Sequence, residues 1–283
     1  YDTKYDKLMG SNKSMFRSFC KACDDVAIVL HLKCKQTNKD FIVTSSHFFW
    51  DPKNPEVKSV QALVFNNELE RLLTTEWTDL VDDGDINSVP IIFGVDSNSL
   101  PFKAKKDQFD PDLPTEGARS GVYELMVDSK LSKLHKDHPF TRINNREKRY
   151  MQAHQGQNKM STQEIEYVGD LPDWEIGIKW RSVYSVVNQR NENKEPLFTN
   201  RVQTFTDTLD YLFISNKCEI RSFLEMPWQK ELTYHILGEE EIDDVVIKKE
   251  LETEIKLGEK FPFCPNKDHP SDHLPLCADI AIL

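Results

Sequence analysis

The sequence has no run of apolar residues long enough to cross a lipid bilayer. A membrane-spanning helix needs about 18 or more consecutive apolar residues, and no such run occurs among the 283 residues. The opening residues, YDTKYDKLMG, have neither the charged and apolar regions of a signal peptide nor the pattern of a transit peptide. The sequence gives no support to secretion, and we expect no membrane partner.

Cysteine is scarce, and its spacing does not suit zinc. The chain has 6 Cys, of which Cys20 and Cys23 form a CxxC pair. No second CxxC or HxxxH follows at zinc-finger spacing. Reduced and mostly buried thiols are therefore favoured over a zinc site. Reduced thiols indicate a reducing compartment, so we expect an intracellular protein, cytoplasmic or nuclear.

Positive charge is also in deficit, since 36 Lys and Arg face 47 Asp and Glu and give a formal net charge of −11. This balance argues against a protein that coats nucleic acid without sequence preference through a broad basic face. A nuclease is compatible with this balance, because it holds a few phosphates in one local groove and its carboxylate-rich site is itself acidic.

Apolar periodicity predicts strands and helices that alternate along the chain. Strands are expected within 24–34, 39–50 and 89–98, at the end of 201–215 and in 273–283, helices over 57–81 and 121–135, and a short helix or turn over 180–188. This order is typical of a layered α/β (α+β) domain. The turn-rich stretch 102–120 and the polar stretch 136–175 are interpreted as inserted loops.

Four polar clusters each lie at the end of a predicted strand: Ser46–His47, Asp96–Asn98, Asp210 and Ser271–His273. Open sheets usually carry their functional sites at strand ends. On a strand, the two members of the Asp96–Asn98 pair would project to the same side, where a carboxylate and an amide can jointly hold a water, a phosphate oxygen or a cation. Each cluster alone is common in turns, so the interpretation depends on their combination.

Five short motifs occur in order along the chain: SSHFFWDP (45–52), GVDSNSLP (94–101), SGVYEL (120–125), FTNRVQTFTDTLDYLF (198–213) and PSDHLPL (270–276). Together they resemble the endonuclease/exonuclease/phosphatase superfamily, and within it the branch of carbon-catabolite-repressor deadenylases, Angel and nocturnin. The long polar insert and the segments SVYSVVN and EPLFTN are most similar to the Ngl group of RNA exonucleases. The loop between the second and third motifs departs from the family, which usually joins the two directly.

The resemblance implies one domain over residues 1–283, built as a layered sandwich of two mixed β-sheets flanked by helices. The family's first strand ends in an Asn and its next element carries a metal-binding Glu, and both would precede Tyr1. We therefore expect an N-terminally incomplete domain whose first strands and principal metal-binding Glu are missing from this chain. Two explanations stay open: a fragment of an active enzyme, or a degenerate member with weak or no activity.

The resemblance also implies catalytic roles for residues of the strand-end clusters. Asp96 would polarise the attacking water, and Asn98 would hold that water or a phosphoryl oxygen. His273 would donate a hydrogen bond to the phosphate, with Asp210 orienting its ring and favouring the imidazolium. His47 would contact the phosphate from the opposite wall.

Contacts to the substrate and the metal are implied by the same motifs. Pro52 and Phe205 would clasp the target base, and stacking of this kind suits single-stranded nucleic acid. Asn200 would contact the edge of the base or the sugar. Asp272 would help to bind Mg²⁺, a hard cation suited to carboxylate and water ligands.

Two neighbouring features are interpreted as structural. Trp50 is expected to be a core residue behind the strand that ends at His47. Asp268 and His269 are expected to form a solvated segment that leads into the PSDHLPL motif.

The resemblance implies a Mg²⁺-dependent 3′–5′ exonuclease acting on single-stranded RNA, with poly(A) as a candidate substrate and an adaptor or RNA-processing complex as a candidate partner. One alternative is a catalytically weak or inactive RNA-binding member that keeps the groove but cannot hold the metal. Another is a phosphatase acting on a small nucleotide or a phosphoinositide. Pro52 and Phe205 favour a nucleobase over an inositol headgroup.

Overall fold

Residues 25–145, 171–187, 195–226 and 261–283 are described in the computed structural model of the protein. The expectations for the first strands, for the Cys20–Cys23 pair and for the centre of the polar insert at 146–170 lie outside these ranges. Within them, no helix is both long enough and apolar enough to span a bilayer.

Strands and helices alternate along the described chain. The strands are β1 (Ala27–Lys33), β2 (Asp40–His47), β3 (Ile91–Asp96), β4 (Lys130–Leu131), β5 (Trp174–Glu175), β6 (Arg181–Ser182), β7 (Asn200–Val202), β8 (Phe205–Asp207), β9 (Asp210–Ile214), β10 (Cys218–Phe223) and β11 (Ala278–Ile282). The helices are α1 (Pro55–Thr75), α2 (Gly121–Asp128) and α3 (Val183–Val187), with 3-10 helices at Thr78–Leu80 and Ile86–Ser88. Residues 139–145 are helical as well.

The centre of the fold is a five-stranded mixed sheet in the order β1-β2-β3-β9-β6. β2 and β3 run parallel, and every other neighbouring pair of this sheet is antiparallel. α1 connects β2 to β3, because two parallel strands need a long crossover between them. Pro55 opens this helix, where a missing backbone N–H costs nothing.

Side chains of β3 alternate between the two faces of the central sheet. Ile91 and Phe93 are fully buried against α1 and α2, and the ring of Phe93 stacks on Phe65 of α1 with centroids 4.2 Å apart. Ile92 points the other way, into an apolar cluster with residues of α3, β10 and β11. The central sheet therefore lies between a helical layer and a layer that contains the β10–β11 pair.

The predicted α/β class and its layered arrangement are confirmed. The mixed character lies in the central sheet. In the second layer, the described residues form the antiparallel pair β10–β11.

Several element boundaries differ from the predicted ones. α2 ends at Asp128, well before residue 135, because Ser129 adopts a left-handed conformation with φ 58° and the chain turns directly into β4. α1 ends at Thr75 and passes into a 3-10 helix before residue 81. β10 is a strand that the sequence does not predict, because most of its side chains are exposed and it has no clear apolar alternation.

The stretch 102–120 forms turns closed by an isolated bridge between Lys103 and Ala118. Ion pairs tie this stretch to the chain that follows α2. Asp110 pairs through Oδ1 with Arg142 Nη1 at 3.1 Å and through Oδ2 with Lys136 Nζ at 2.8 Å. These side chains are nearly inaccessible to solvent, so the stretch is packed onto the rest of the fold.

The described cysteines, Cys34, Cys218, Cys264 and Cys277, are free thiols, which confirms the prediction of reduced Cys for these positions. The prediction that the thiols are mostly buried is wrong, since only Cys218 among the four is buried. The other three lie in turns or just outside strands, where the backbone runs along the surface.

Glu195 is buried beside α2 and makes the stability of the fold dependent on pH. The residue is 1% exposed, and its Oε1 accepts a hydrogen bond from the Tyr123 hydroxyl at 2.8 Å. Burial raises the pKa of its carboxyl from 4.5 to about 7. The folded state therefore favours the protonated carboxyl. This stabilisation is complete below pH 4.5 and is lost as the pH rises through about 7.

We expect Glu195→Gln to raise the free energy of unfolding at about pH 8 by up to about 3 kcal/mol, the value of a pKa shift of this size. The Gln keeps an acceptor for Tyr123 and carries no charge. Urea unfolding at about pH 5 and about pH 8 measures the difference. Glu175→Gln is the control, since the Glu175 side chain is 71% exposed. An equal gain in both variants, or none at the higher pH, would contradict this assignment.

Candidate active site

Three neighbouring strands of the central sheet end in polar residues that lie in one row. His47 of β2 is the register partner of Asp96 of β3, and Asp96 is the register partner of Asp210 of β9. Neighbouring strands lie about 4.8 Å apart, so the three side chains are adjacent across the sheet edge. His47 Nε2 is 3.5 Å from Asp96 Oδ2. Three strand-end clusters identified separately in the sequence therefore meet.

The segment before β11 brings the fourth cluster to the same edge. The backbone N–H of Leu274 donates to the carbonyl of Thr199 at 2.7 Å, and the N–H of Arg201 donates to the carbonyl of Asp272 at 3.1 Å. These two bonds flank His273 and fix its position next to Asp210, the first residue of β9.

His273 completes the row through its two ring nitrogens. Its Nδ1–H donates to Asp210 Oδ2 at 2.7 Å, and its Nε2 is 3.8 Å from Asp96 Oδ2. The ring of His269 contacts the backbone of His273, with its Nε2 2.8 Å from the His273 carbonyl oxygen. Asp268 has a side chain that is 81% exposed, as expected. His269 is partly exposed, and the sequence does not predict the contact of its ring with the backbone of the next motif.

Asn98 lies beyond the end of β3, in a turn. The prediction that it continues the strand with Asp96 is wrong, since Asn98 is in the left-handed region with φ 47°. Its backbone N–H donates to Asp96 Oδ1 at 2.9 Å. Its Nδ2 donates to the carbonyl of Phe48 at 3.0 Å and lies 3.3 Å from His47 Nε2. The turn therefore directs the amide to the same site by a different route.

Thr199 is a site residue to which the sequence analysis gives no role. Its hydroxyl donates to Asp210 Oδ2 at 2.6 Å and accepts the backbone N–H groups of Leu209 and Asp210 at 2.9 and 3.0 Å. The side chain is fully buried. Its place in the FTN motif is the only sequence signal of this function, since a Thr before a strand is common.

Burial and neighbouring charges shift two pKa values at the site. Burial, together with repulsion from Asp210, raises the pKa of the Asp96 carboxyl. The hydrogen bond to Asp210 raises the pKa of the His273 imidazole, with smaller contributions from the nearby carboxylates. The site therefore contains a carboxylate more basic than usual and an imidazolium that persists to higher pH.

Asn200 and Asp272 lie together at the outer side of the site. Asn200 Nδ2 donates to Asp272 Oδ2 at 3.4 Å, and Asp272 Oδ2 is 4.0 Å from His273 Nε2. Asn200 is buried, whereas the side chain of Asp272 is 51% exposed. The exposed carboxylate is thus accessible to a ligand that enters from solvent.

The carboxylates of the site suit a hard divalent cation. Ligand atoms of Asp96, Asp210 and His273 lie within 4.8 Å of one another, and Asp272, the residue expected to bind the metal, is beside this group. Nδ1 of His273 is engaged by Asp210, which leaves mainly carboxylate oxygens as donors. Oxygen donors are the ligands that Mg²⁺ and similar ions prefer, so the residues present fit the expected ion.

The two rings expected to clasp the base are both exposed at the surface. Pro52 is exposed on the loop after β2, and Phe205 is 37% exposed at the start of β8. The prediction that Trp50 is a core residue is wrong, since it is 66% exposed. Phe48 occupies the core in its place, 2% exposed and with its ring centroid 6.4 Å from that of Phe93.

The sequence is similar to curated exoribonucleases, although no protein-family model matches it. It is 26% identical over 253 residues to the CCR4-Not complex 3′-5′-exoribonuclease subunit Ccr4 of Kluyveromyces lactis, covering 89% of this chain and 23% of that protein. It is 27% identical over 251 residues to Carbon catabolite repressor protein 4 homolog 4 of Arabidopsis thaliana, covering 87% of this chain and 39% of that protein. The chain thus spans less than half the length of either relative.

Among solved structures, the fold is similar to that of ANGEL2, a 2′,3′-cyclic phosphatase whose crystal structure contains adenosine-2′,3′-vanadate. The match covers 91% of this chain and 61% of the other, with a TM-score of 0.52 and 19% identity. By sequence the chain is thus similar to curated CCR4-type proteins, and by fold it is similar to ANGEL2.

Proposed function

We propose that the protein is a Mg²⁺-dependent 3′–5′ exoribonuclease that shortens single-stranded RNA, with poly(A) tails as its substrate class. The observation that carries this proposal is the meeting of His47, Asp96, Asp210 and His273 at one edge of the central sheet. Phosphodiester hydrolysis needs a base for the attacking water and donors for the phosphoryl oxygens. This edge supplies both.

In the proposed reaction, a water oxygen attacks the phosphorus of the last phosphodiester. Asp96 accepts the proton of that water as its bond to phosphorus forms. The bond between phosphorus and the 3′ oxygen of the preceding nucleotide breaks, and this oxygen takes up a proton from solvent. The products are a nucleoside 5′-monophosphate and an RNA one nucleotide shorter. The raised pKa of Asp96 makes it a stronger base than an ordinary carboxylate.

Donors on two sides hold the phosphate in this proposal. His273 donates through Nε2, because its Nδ1 is committed to Asp210. Asn98 and His47 contact the phosphate from the opposite side, where their side-chain nitrogens lie 3.3 Å apart. His273 and Asn98 are held by hydrogen bonds to Asp210 and to the Phe48 carbonyl before the substrate arrives, which lowers the cost of reorganisation during the reaction.

Mg²⁺ would neutralise charge on the phosphoryl and leaving oxygens when bound. Asp272 is the ligand that we assign to it from this chain, with the carboxylates of the row as neighbours. The amide of Asn200 orients the Asp272 carboxylate through the contact at 3.4 Å.

The terminal base is proposed to lie between Pro52 and Phe205, with Asn200 at its edge. Both rings are accessible to solvent, as a stacking surface requires. Stacking of a base on an aromatic ring contributes about 1–3 kcal/mol. It is available only to a base that is not already paired and stacked in a duplex, which accounts for a preference for single strands.

The names of the relatives support the same substrate and suggest a setting. The Kluyveromyces relative is named as a subunit of the CCR4-Not complex. We propose that this protein likewise works with an RNA-processing complex in the cytoplasm or nucleus.

A second candidate function is opening of a terminal 2′,3′-cyclic phosphate, because the chain shares its fold with a 2′,3′-cyclic phosphatase. The same water-activating carboxylate and phosphate donors would serve that reaction. A phosphoinositide fits less well, since exposed rings at Pro52 and Phe205 match a flat base. A binding-only protein would retain the groove without cleavage.

We expect the full natural chain to remove nucleotides one at a time from the 3′ end of a 5′-labelled oligo(A) RNA in the presence of Mg²⁺. Asp96→Asn should lower kcat by about 100- to 10,000-fold, the usual contribution of a general base. Asp268→Asn is the control, since that side chain is 81% exposed, and it should leave kcat unchanged.

Assays of the same protein on a panel of other substrates distinguish the alternative functions. Opening of a 2′,3′-cyclic phosphate without shortening of oligo(A) would favour the second candidate. Binding of oligo(A) without cleavage of any substrate would show a binding-only protein. Release of phosphate from inositol phosphates alone would place the protein among the phosphoinositide phosphatases.

Asp210 should control both limbs of the pH profile. The pKa of Asp96 is raised in part by repulsion from Asp210, and the pKa of His273 is raised mainly by its hydrogen bond to the same residue. The reaction needs ionised Asp96 and protonated His273, so kcat rises through the first pKa and falls above the second. Asp210→Asn lowers both pKa values and should move both limbs of the profile of kcat to lower pH. A profile that changes only in height would count against this pairing.

Thr199 should affect kcat through Asp210 alone. Thr199→Val keeps the shape and removes the hydroxyl that contacts Asp210 Oδ2 and two backbone N–H groups. We expect kcat to fall by about tenfold or more, as for other residues that orient a catalytic group, with KM little changed. Thr199→Ser should restore most of the rate. If the Val and Ser variants were equally active, the hydroxyl would have no part in orienting Asp210.

A further inference from the structure

Lys58 is a buried cation beneath the candidate active site. It lies in the first turn of α1 and is only 3% exposed. Its Nζ donates to the backbone carbonyl of Asn98 at 2.5 Å. Lysine is almost never buried to this extent without a specific partner, and its partner here belongs to the turn that carries two residues of the site.

The surroundings of Lys58 compensate only in part for its burial. Burial lowers the pKa of its ammonium to about 8, while nearby carboxylates, among them Asp137, Asp51 and Asp96, oppose that shift. A buried ammonium costs more than an apolar side chain of similar length. Stability alone therefore gives no reason for a lysine at this position, and a buried ionisable group next to a catalytic cluster is typical of a functional role.

The turn that Lys58 contacts needs support from both ends. Asn98 is in the left-handed region, which Asn adopts more readily than most residues but less readily than Gly. Its N–H is held by Asp96 Oδ1 at 2.9 Å, and its carbonyl is held by Lys58. The side chain of Asn98 can reach the site only while its backbone keeps this conformation.

We propose that Lys58 is a positioning residue that fixes the Asp96–Asn98 turn in the geometry required for phosphodiester hydrolysis. This inference rests on the proposed function for its catalytic consequence and on the hydrogen bond to Asn98 for its structural one. The ammonium also places a fixed positive charge behind the carboxylates of the row, where like charges otherwise accumulate.

The next turn of the same helix supports the other half of the site. Gln61 accepts the backbone N–H of Phe49 through Oε1 at 2.8 Å, on the loop that follows His47. α1 thus holds the loops after both parallel strands, β2 through Gln61 and β3 through Lys58. Because both loops are bound to the same helix, the loop after β2 and the loop after β3 are held at a fixed distance from each other.

The test compares Lys58→Met, Lys58→Arg and Ser59→Ala in the full natural chain. Met has a similar length but neither charge nor donor, and Arg keeps both. Ser59 is the matched control, because it is fully buried on the same helix and its hydroxyl donates only within the helix, to the Pro55 carbonyl at 3.1 Å.

Two readouts are measured for each variant. In the shortening of oligo(A), Lys58→Met should lower kcat by about 100-fold, the loss that a displacement of about 1 Å produces, with KM within about threefold of the wild type. Lys58→Arg keeps the positive charge and an N–H donor for the Asn98 carbonyl, so it should recover at least about tenfold of that loss. Amide hydrogen exchange at Asn98 should accelerate by about tenfold or more in Lys58→Met and should stay unchanged in Ser59→Ala.

The two readouts separate failure of this inference from failure of the proposed function. If the wild type does not shorten oligo(A) but Lys58→Met accelerates exchange at Asn98, the proposed function fails and the structural inference stands. If exchange and kcat are both unaffected by Lys58→Met, or if Ser59→Ala changes them as much, the inference is overturned. Should Lys58→Met fail to fold, Lys58→Gln is measured by the same criteria.

Discussion

The register of β3 between β2 and β9 is the constraint on which the site depends. Because side chains alternate along a strand, a slip of one residue would move Asp96 to the other face of the sheet. The alternation of buried residues fixes this register: Ile91 and Phe93 face the helices, and Ile92 faces the β10–β11 layer.

This register also determines where Asp96 lies relative to His273. Asp96 is four residues after Ile92, so its side chain projects from the same face of the sheet, the face that the segment before β11 crosses. In that segment, Leu274 packs into the same apolar cluster as Ile92, directly after His273. The core that stabilises the domain thus also sets the distance between Asp96 and His273.

The same register brings like charges together. Asp96 and Asp210 are directly opposed on an antiparallel pair, a placement that is destabilising for two carboxylates, and burial adds to the cost. The structure offsets this in two ways. His273 contacts both carboxylates and gains a proton more readily than a free imidazole, and the ammonium of Lys58 interacts favourably with Asp96. The two carboxylates therefore lower the stability of the fold, as is common at functional sites. The raised pKa values of Asp96 and His273 are in the directions that suit a base and an acid.

Sequence patterns predict the parts of this arrangement that depend on local chemistry. The clusters at His47 and Asp96 follow apolar runs and the cluster at His273 precedes one, so the period of each run identifies the strand and its polar end identifies the edge. Contacts that depend on long-range packing have no such signal. Thr199 contacts Asp210 because the β7–β8 hairpin returns the chain to the start of β9. Lys58 contacts Asn98, which lies 40 residues further along the chain. Predictions from apolar periodicity also fail where the backbone conformation of a single residue turns the chain. Ser129 ends α2 in a left-handed conformation, and the loop after β2 turns Phe48 inward and Trp50 outward.

The free-energy cost of two opposed carboxylates helps to distinguish a catalytic protein from one that only binds RNA. A groove that merely holds RNA needs donors for phosphates and rings for bases. It gains nothing from two opposed carboxylates, which repel a polyanion as well as each other. In a hydrolase, by contrast, Asp96 could accept a proton and Asp210 could stabilise the imidazolium of His273. Thr199 and His273 both donate a hydrogen bond to the same oxygen of Asp210, Oδ2. A chain freed from catalysis would lower its free energy by replacing Asp96 or Asp210 with a neutral residue. That both are present, each with dedicated partners, favours hydrolysis over binding alone.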